Sequence, residues 1–117
     1  IIEEKHAVEK IDEIAAVPGI AVIFIGVNDL SYSYGHRGRQ DVTEVREAIR
    51  KIVAAAKRNN IPVGRPAANA EAIARYRSEG FSFFQASSEL GFMAAGARQL
   101  LAPLGKADAA APRRPLY

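Results

Sequence analysis

Apolar and polar positions along the chain switch repeatedly between two periods. From His6 to Val17, the residues Val8, Ile11, Ile14 and Ala15 recur at helical spacing, and Pro18-Gly19 ends the pattern. "IAVIFIG" follows as a continuous apolar run of strand length, the pattern of a strand covered on both faces in a parallel sheet. A loop rich in Gly, Ser and Tyr comes next. Asp41 and Glu44 then stand at capping-box spacing ahead of a predicted helix in which Val45, Ala48, Ile49, Ile52, Val53 and Ala56 share one face, ending near Asn59-Asn60. "IPVGRPA" predicts a strand, "NAEAIARYRSEG" a helix stopped by Gly80, and "FSFFQAS" a strand. Ser88 to Leu104 predicts a last helix with Leu90, Met93, Ala97, Leu100 and Leu101 turned inward. The opening Ile1-Ile2 reads as the end of a further strand whose beginning is absent. The pattern therefore predicts four β/α units, followed over 106–117 by an aperiodic, disordered tail.

An α/β chain of this pattern fits two architectures. One is a small open doubly wound sheet, and the other is the C-terminal half of a TIM (β/α)8 barrel, whose complete form takes about 250 residues. The truncated first strand favours the half barrel, over residues 1–105. In both, the loops that follow the strands gather at the carboxyl rim of one parallel sheet, where such folds place their chemistry.

Composition narrows the function classes. Of 117 residues, 49% are apolar and 25% charged, which is ordinary globular material, and the formal charge of +3 is spread along the chain with no basic block longer than Arg113-Arg114. That distribution argues against nucleic-acid binding, which takes a clustered basic face. Without cysteine, disulfides and thiolate metal sites are excluded. The longest apolar run, Ile20 to Ile25, falls far short of the about 20 residues of a membrane span, and no signal-peptide pattern opens the chain. The expectation is a cytoplasmic, reducing setting.

Two acids change the picture. Glu3 follows "II" and Asp29 follows "IFIGVN", so each begins a loop at the rim, and neighbouring parallel strands about 4.8 Å apart would bring the two together. Two convergent carboxylates without His or Cys suit a hard divalent cation, Mg²⁺ or Mn²⁺, with positions left open for water and substrate oxygens. On residues alone a second account stands beside this one: Glu3 caps the following helix and Asp29 makes an Asx-turn in "NDLS".

The stretch "IEEKHAVEKIDEIAAVPGIAVIFIGVNDLSYSYGHRG", continued by "PVGRPAANAEAIARYRSEGFSFFQASSELGFMAAGARQLL", resembles the second half of the HpcH/HpaI aldolase family of metal-dependent pyruvate aldolases. The resemblance implies a carbon-carbon lyase that cleaves or forms 4-hydroxy-2-oxo acids from pyruvate and an aldehyde through a metal-stabilised enolate. It implies that Glu3 and Asp29 are the metal ligands, for Mg²⁺, Mn²⁺ or Co²⁺, and that the backbone at Asn28 and Asp29 holds the 2-oxo acid carboxylate. It also implies a homo-oligomer, commonly a hexamer. Val27 departs from the family's proline, and Ile1 and Glu4 from its usual residues. The arginine and histidine that complete the site come in this family from earlier strands, so no catalytic residue is identified in this half.

Other rim residues carry two readings each. Arg65, in "VGRPA", meets an anionic substrate tail or makes a structural ion pair. Ser87 and Ser88 before "ELG" serve a rim site beside Gln85 or cap the last helix. His6 and His36 are each without a partner for a dyad, and Phe81, Phe83 and Phe84 read as core. Tyr32 and Tyr34 shape a pocket wall or a subunit contact. Two further function classes stay open: a lyase of the citrate lyase β or malyl-CoA lyase type, and a non-catalytic half barrel that only self-associates.

Overall fold

The computed structural model describes residues 1–105, so the expected tail over 106–117 lies outside the described residues. The chain divides into two compact units, Ile1–Ala86 and a second beginning at Ser87. The first is a layer of helices on one face of a parallel sheet. Its strands are β1 (Ile23–Phe24), β2 (Val63–Pro66) and β3 (Phe83–Gln85), in the order β1-β2-β3. Ile23 pairs with Val63, and Gly64 with both Phe24 and Phe83. The opening residues contribute a single parallel bridge, Ile2 to Ile25, rather than a fourth strand. The architecture is thus α/β with a three-stranded parallel sheet, and four complete β/α units are not seen.

The helices follow the apolar spacing with three differences. The helix expected over 6–17 is two short ones, α1 (Lys5–Glu9) and α2 (Ile11–Ala15), because Lys10 leaves helical geometry at φ −98°, ψ 14°. The loop expected after Gly26 is instead a helix, α3 (Val27–Ser33), whose Val27, Leu30 and Ser31 are buried. Helix α4 (Thr43–Arg58) buries Val45, Ala48, Ile52, Ala55 and Ala56, but Val42 occupies its N-cap and no side chain caps it. The expected Asp41–Glu44 box does not form, since Glu44 is drawn instead to His36. Helix α5 (Ala70–Ser78) starts at Asn69, whose side chain accepts from the Ala72 N–H at 2.8 Å. It stops at Gly80, where φ is +101°.

One core joins these elements. Val8 and Ile11 from α1 and α2, Ile52, Ala55 and Ala56 from α4, and Ile23, Ile25 and Val63 from the sheet form a contiguous buried cluster. The alternate sheet residues point the other way. A Cβ at Gly64 would lie 2.7 Å from Phe83 Cδ1 and 2.8 Å from Phe24 Cδ2, two rings packed edge to face at 6.1 Å. Phe83, read as core from its spacing, is half exposed, while Phe81 is buried and Phe84 partly so. Within the first unit it lies on the sheet face opposite Val63, packed edge to face against Phe24.

In the second unit, helix α6 (Glu89–Leu101) is capped by Ser88, which accepts from the Gly91 N–H at 3.2 Å. Of the two readings for this serine, the cap is the one observed. Leu90, Met93, Leu100 and Leu101, expected inward, are exposed, because the described part of this unit holds no second layer to cover them. A short 3₁₀ turn, Ala102–Leu104, ends it.

Gly64→Ala should destabilise the first unit by about 1–3 kcal/mol, because the methyl meets both rings and the Phe83 carbonyl at once. Asn69→Ala should cost about 1 kcal/mol through the lost cap. Urea denaturation followed by circular dichroism measures both, with Gly96→Ala, whose new methyl meets nothing within 4 Å, as the variant that loses no stability.

Candidate functional site

The rim is built by backbone pairing at the strand ends. The Ile2 N–H donates to the Phe24 carbonyl at 2.8 Å, and the Gly26 N–H returns to the Ile2 carbonyl at 3.0 Å. This clamp sets Glu3 beside Gly26 so closely that a Cβ there would lie 3.0 Å from both Glu3 Cβ and Glu3 Oε2. Gly26 is required by this approach rather than by its backbone angles, φ −78° and ψ 73°.

Helix α3 begins at once after Gly26, with Asn28 and Asp29 in its first turn. The first intrahelical bond runs from the Leu30 N–H to the Gly26 carbonyl at 2.8 Å. The N–H groups of Asn28 and Asp29 therefore precede the helical ladder and have no carbonyl acceptor inside it. Ser31, fully buried, donates to the Asn28 carbonyl at 2.7 Å and braces the same turn. At the far end of α3, Ser33 Oγ accepts from the Lys5 N–H at 2.8 Å, tying α3 to the start of α1.

Glu3, Asn28 and Asp29 line one groove of about 520 Å³ together with Gly26, Arg65 and Gln85. The structural account of the two acids does not hold. Glu4, not Glu3, is the N-cap of α1, and it makes no side-chain cap bond. Asp29 sits inside a helix rather than in an Asx-turn. Among the described residues neither carboxylate has a hydrogen-bond or ion-pair partner.

The donor set fits a hard cation only as a partial shell. Among the described residues no group of three or more His, Asp or Glu side chains gathers at one point. Two carboxylates with no nitrogen or sulfur ligand match an ion such as Mg²⁺, which keeps several waters and takes one or two carboxylates from protein.

Arg65, at the end of β2, shares the face of Val63 by strand alternation and so points into the helix layer. It is only 6% exposed, its Nη2 reaches Gln40 Oε1 at 3.4 Å, and its Nε has no acceptor. The guanidinium lies 3.7 Å from the centre of the Tyr76 ring and 5.4 Å from that of Phe81. Burial pushes its pKa below the ordinary arginine value, with Tyr76 and Glu79 opposing and Arg75 adding to the shift. No carboxylate lies within ion-pair distance of it among the described residues, so the structural ion pair is not formed. Burying an unpaired cation costs several kcal/mol, and stacking on an aromatic ring returns about 0.5–2 kcal/mol.

His36 was without a visible partner in the sequence, and the structure supplies one. Its Nε2 is hydrogen-bonded to Glu44 Oε2, which pins the turn of Gly35 to Gly38 against α4. Eight residues separate them, and no local spacing rule connects a loop histidine to a helix-start acid. Tyr34 beside them is partly buried, and burial together with Glu9 and Glu44 raises its pKa.

The structure thus defines an α/β chain with a three-stranded parallel sheet and two acids at its carboxyl rim. Comparison with known proteins is specific. Residues 1–95 match HpcH/HpaI aldolase/citrate lyase, and the chain belongs to that family. It is 35% identical over 99 residues to a 5-keto-4-deoxy-D-glucarate aldolase of Enterobacter sp. (strain 638), covering 85% of this chain and 39% of that protein. Over 103 residues it is 31% identical to a 2-dehydro-3,6-dideoxy-6-sulfogluconate aldolase of Pseudomonas putida, covering 88% and 40%. A solved HpcH/HpaI aldolase/citrate lyase family protein from Burkholderia cenocepacia J2315 superposes with a TM-score of 0.79 at 30% identity, covering 88% of this chain and 40% of that one. The chain thus spans about 40% of the length of these relatives.

Gly26→Ala should turn the Glu3 carboxylate out of the groove and cost about 1–2 kcal/mol, since the flexible Oε2 yields but Cβ does not. A shift of the Glu3 carboxyl ¹³C resonance, with a lowered denaturation midpoint, is the expected readout.

Proposed function

We propose that this chain supplies the carboxylate rim of a divalent-metal-dependent aldolase, a lyase acting on 4-hydroxy-2-oxo acids with pyruvate or a close 2-oxo acid as one product. The carrying observation is that Glu3 and Asp29 line one groove at the strand ends while neither is engaged by any described side chain or backbone group. Membership of a family whose relatives include sugar-acid aldolases and a hydroxypyruvate/pyruvate aldolase supports the same reading.

In this reading the carboxylates of Glu3 and Asp29 would hold Mg²⁺ or Mn²⁺. When bound, the cation supplies Lewis-acid charge to the oxygens of the 2-oxo acid. The chain's own residues do the positioning. Gly26 lets the ligand approach the backbone, the N–H groups of Asn28 and Asp29 donate to the substrate carboxylate, and Ser31 keeps their turn rigid. The groups that move protons belong to strands outside this chain, and the working enzyme is a complete barrel within a homo-oligomer.

Mn²⁺ titration of the full chain, followed by electron paramagnetic resonance, tests the ligands. Glu3→Gln and Asp29→Ala should each weaken binding about tenfold or more, and unchanged affinity in either variant removes that residue from the site. Borohydride reduction in the presence of pyruvate should leave no covalent adduct, because among the described residues no lysine lines the groove that holds Glu3 and Asp29. A trapped adduct would overturn the metal-dependent route.

A further inference from the structure

The helix side of the sheet holds a second groove, about 870 Å³, between α4 and α5. Arg46, Arg50 and Lys57 from α4 and Arg75 from α5 line it against the acids Asp41 and Glu79. Arg65 reaches it from β2, beside an apolar surface of Ile49, Val53 and Phe81. Among the described residues none of these five cations is ion-paired.

We propose that this groove binds a small oxyanion of two or more negative charges, held by Arg65 at its base and by Arg46 and Arg50 on its wall. Two independent features point there. A guanidinium nine-tenths buried, with an Nε that has no acceptor and an Nη2 held only by a long bond to Gln40, is a charge waiting for an anion. The walls add an excess of cations that a single negative charge would leave unbalanced, while Tyr76 and Phe81 flank the guanidinium at 3.7 and 5.4 Å from their ring centres and hold it in place. The volume suits a metabolite-sized ligand. Phosphates and polycarboxylates share this chemistry.

The site is distinct in kind from the carboxylate rim, which is acidic and suited to a cation, although Arg65, Gln40 and Tyr76 border both grooves. Its existence does not depend on the aldolase reading, and the test keeps the two apart.

Calorimetric titration of the full chain at low ionic strength, with EDTA present, uses pyrophosphate in one arm and citrate in the other. One saturable site for at least one of them is expected. Pyrophosphate alone assigns phosphate chemistry, citrate alone assigns polycarboxylate chemistry, and both together assign a general polyanion site. The exposed pair Arg46→Ala with Arg50→Ala should weaken binding about tenfold, and Arg65→Lys, which keeps the charge but loses the planar fork, should weaken it about as much. Lys10→Ala with Arg98→Ala removes the same charge elsewhere and should change affinity less than about twofold. Glu3→Gln, which removes a proposed metal ligand, should leave anion binding intact. Absence of binding by both anions, equal weakening by the two charge-matched pairs, or unchanged affinity in a folded Arg65→Lys would overturn the proposal. Should Arg65→Lys fail to fold, the two charge-matched pairs decide it.

Discussion

The rim depends on a two-bond backbone clamp between Ile2 and the end of β1. With the Ile2 N–H on the Phe24 carbonyl and the Gly26 N–H on the Ile2 carbonyl, residues far apart in the chain are locked in parallel register. A one-residue slip would exchange the faces of Ile2 and Glu3. Ile2 would leave the core and Glu3 would be driven into it, which its charge forbids. The bridge is short, but the burial of Ile2 and Ile25 on one side and the solvation of Glu3 on the other make its register unique. Gly26 then closes the arrangement, since any side chain there would collide with Glu3.

The sheet divides its work between two faces. Toward the helices, Ile23, Ile25 and Val63 meet Ile52, Ala55 and Ala56, small and branched residues that let α4 lie close. On the other face Phe24 and Phe83 cross over Gly64. Arg65 is the exception on the helix face, a cation set among Tyr76 and Phe81 where apolar side chains would pack at less cost. A position that breaks the local rule without a compensating ion pair is where function is to be sought.

Much of this was legible from order and spacing. Apolar runs of strand length and helical repeats gave the alternation of elements, Asn69 and Ser88 marked helix starts, Gly80 marked an end, and the residues flanking Glu3 and Asp29 carried the family. The misses share a cause. "VNDLSYS" lacks a long apolar stripe and read as loop, yet it is helical, because Leu30 and Ser31 are buried against the sheet and Ser33 is fastened to Lys5. Helix 6–17 broke at Lys10 although its apolar spacing runs through that point.

Local period and composition therefore determined the alternation of the three strands with α4, α5 and α6, and which acids stand at strand ends, but not α3 or the break at Lys10. Tertiary structure alone decided that Glu3 lies against Gly26, that His36 finds Glu44, and that Arg65 stacks on Tyr76 in the helix layer where it borders both grooves. Each of these is a contact between residues at least eight positions apart, and its geometry is fixed by strand register and helix packing, quantities that no local pattern contains.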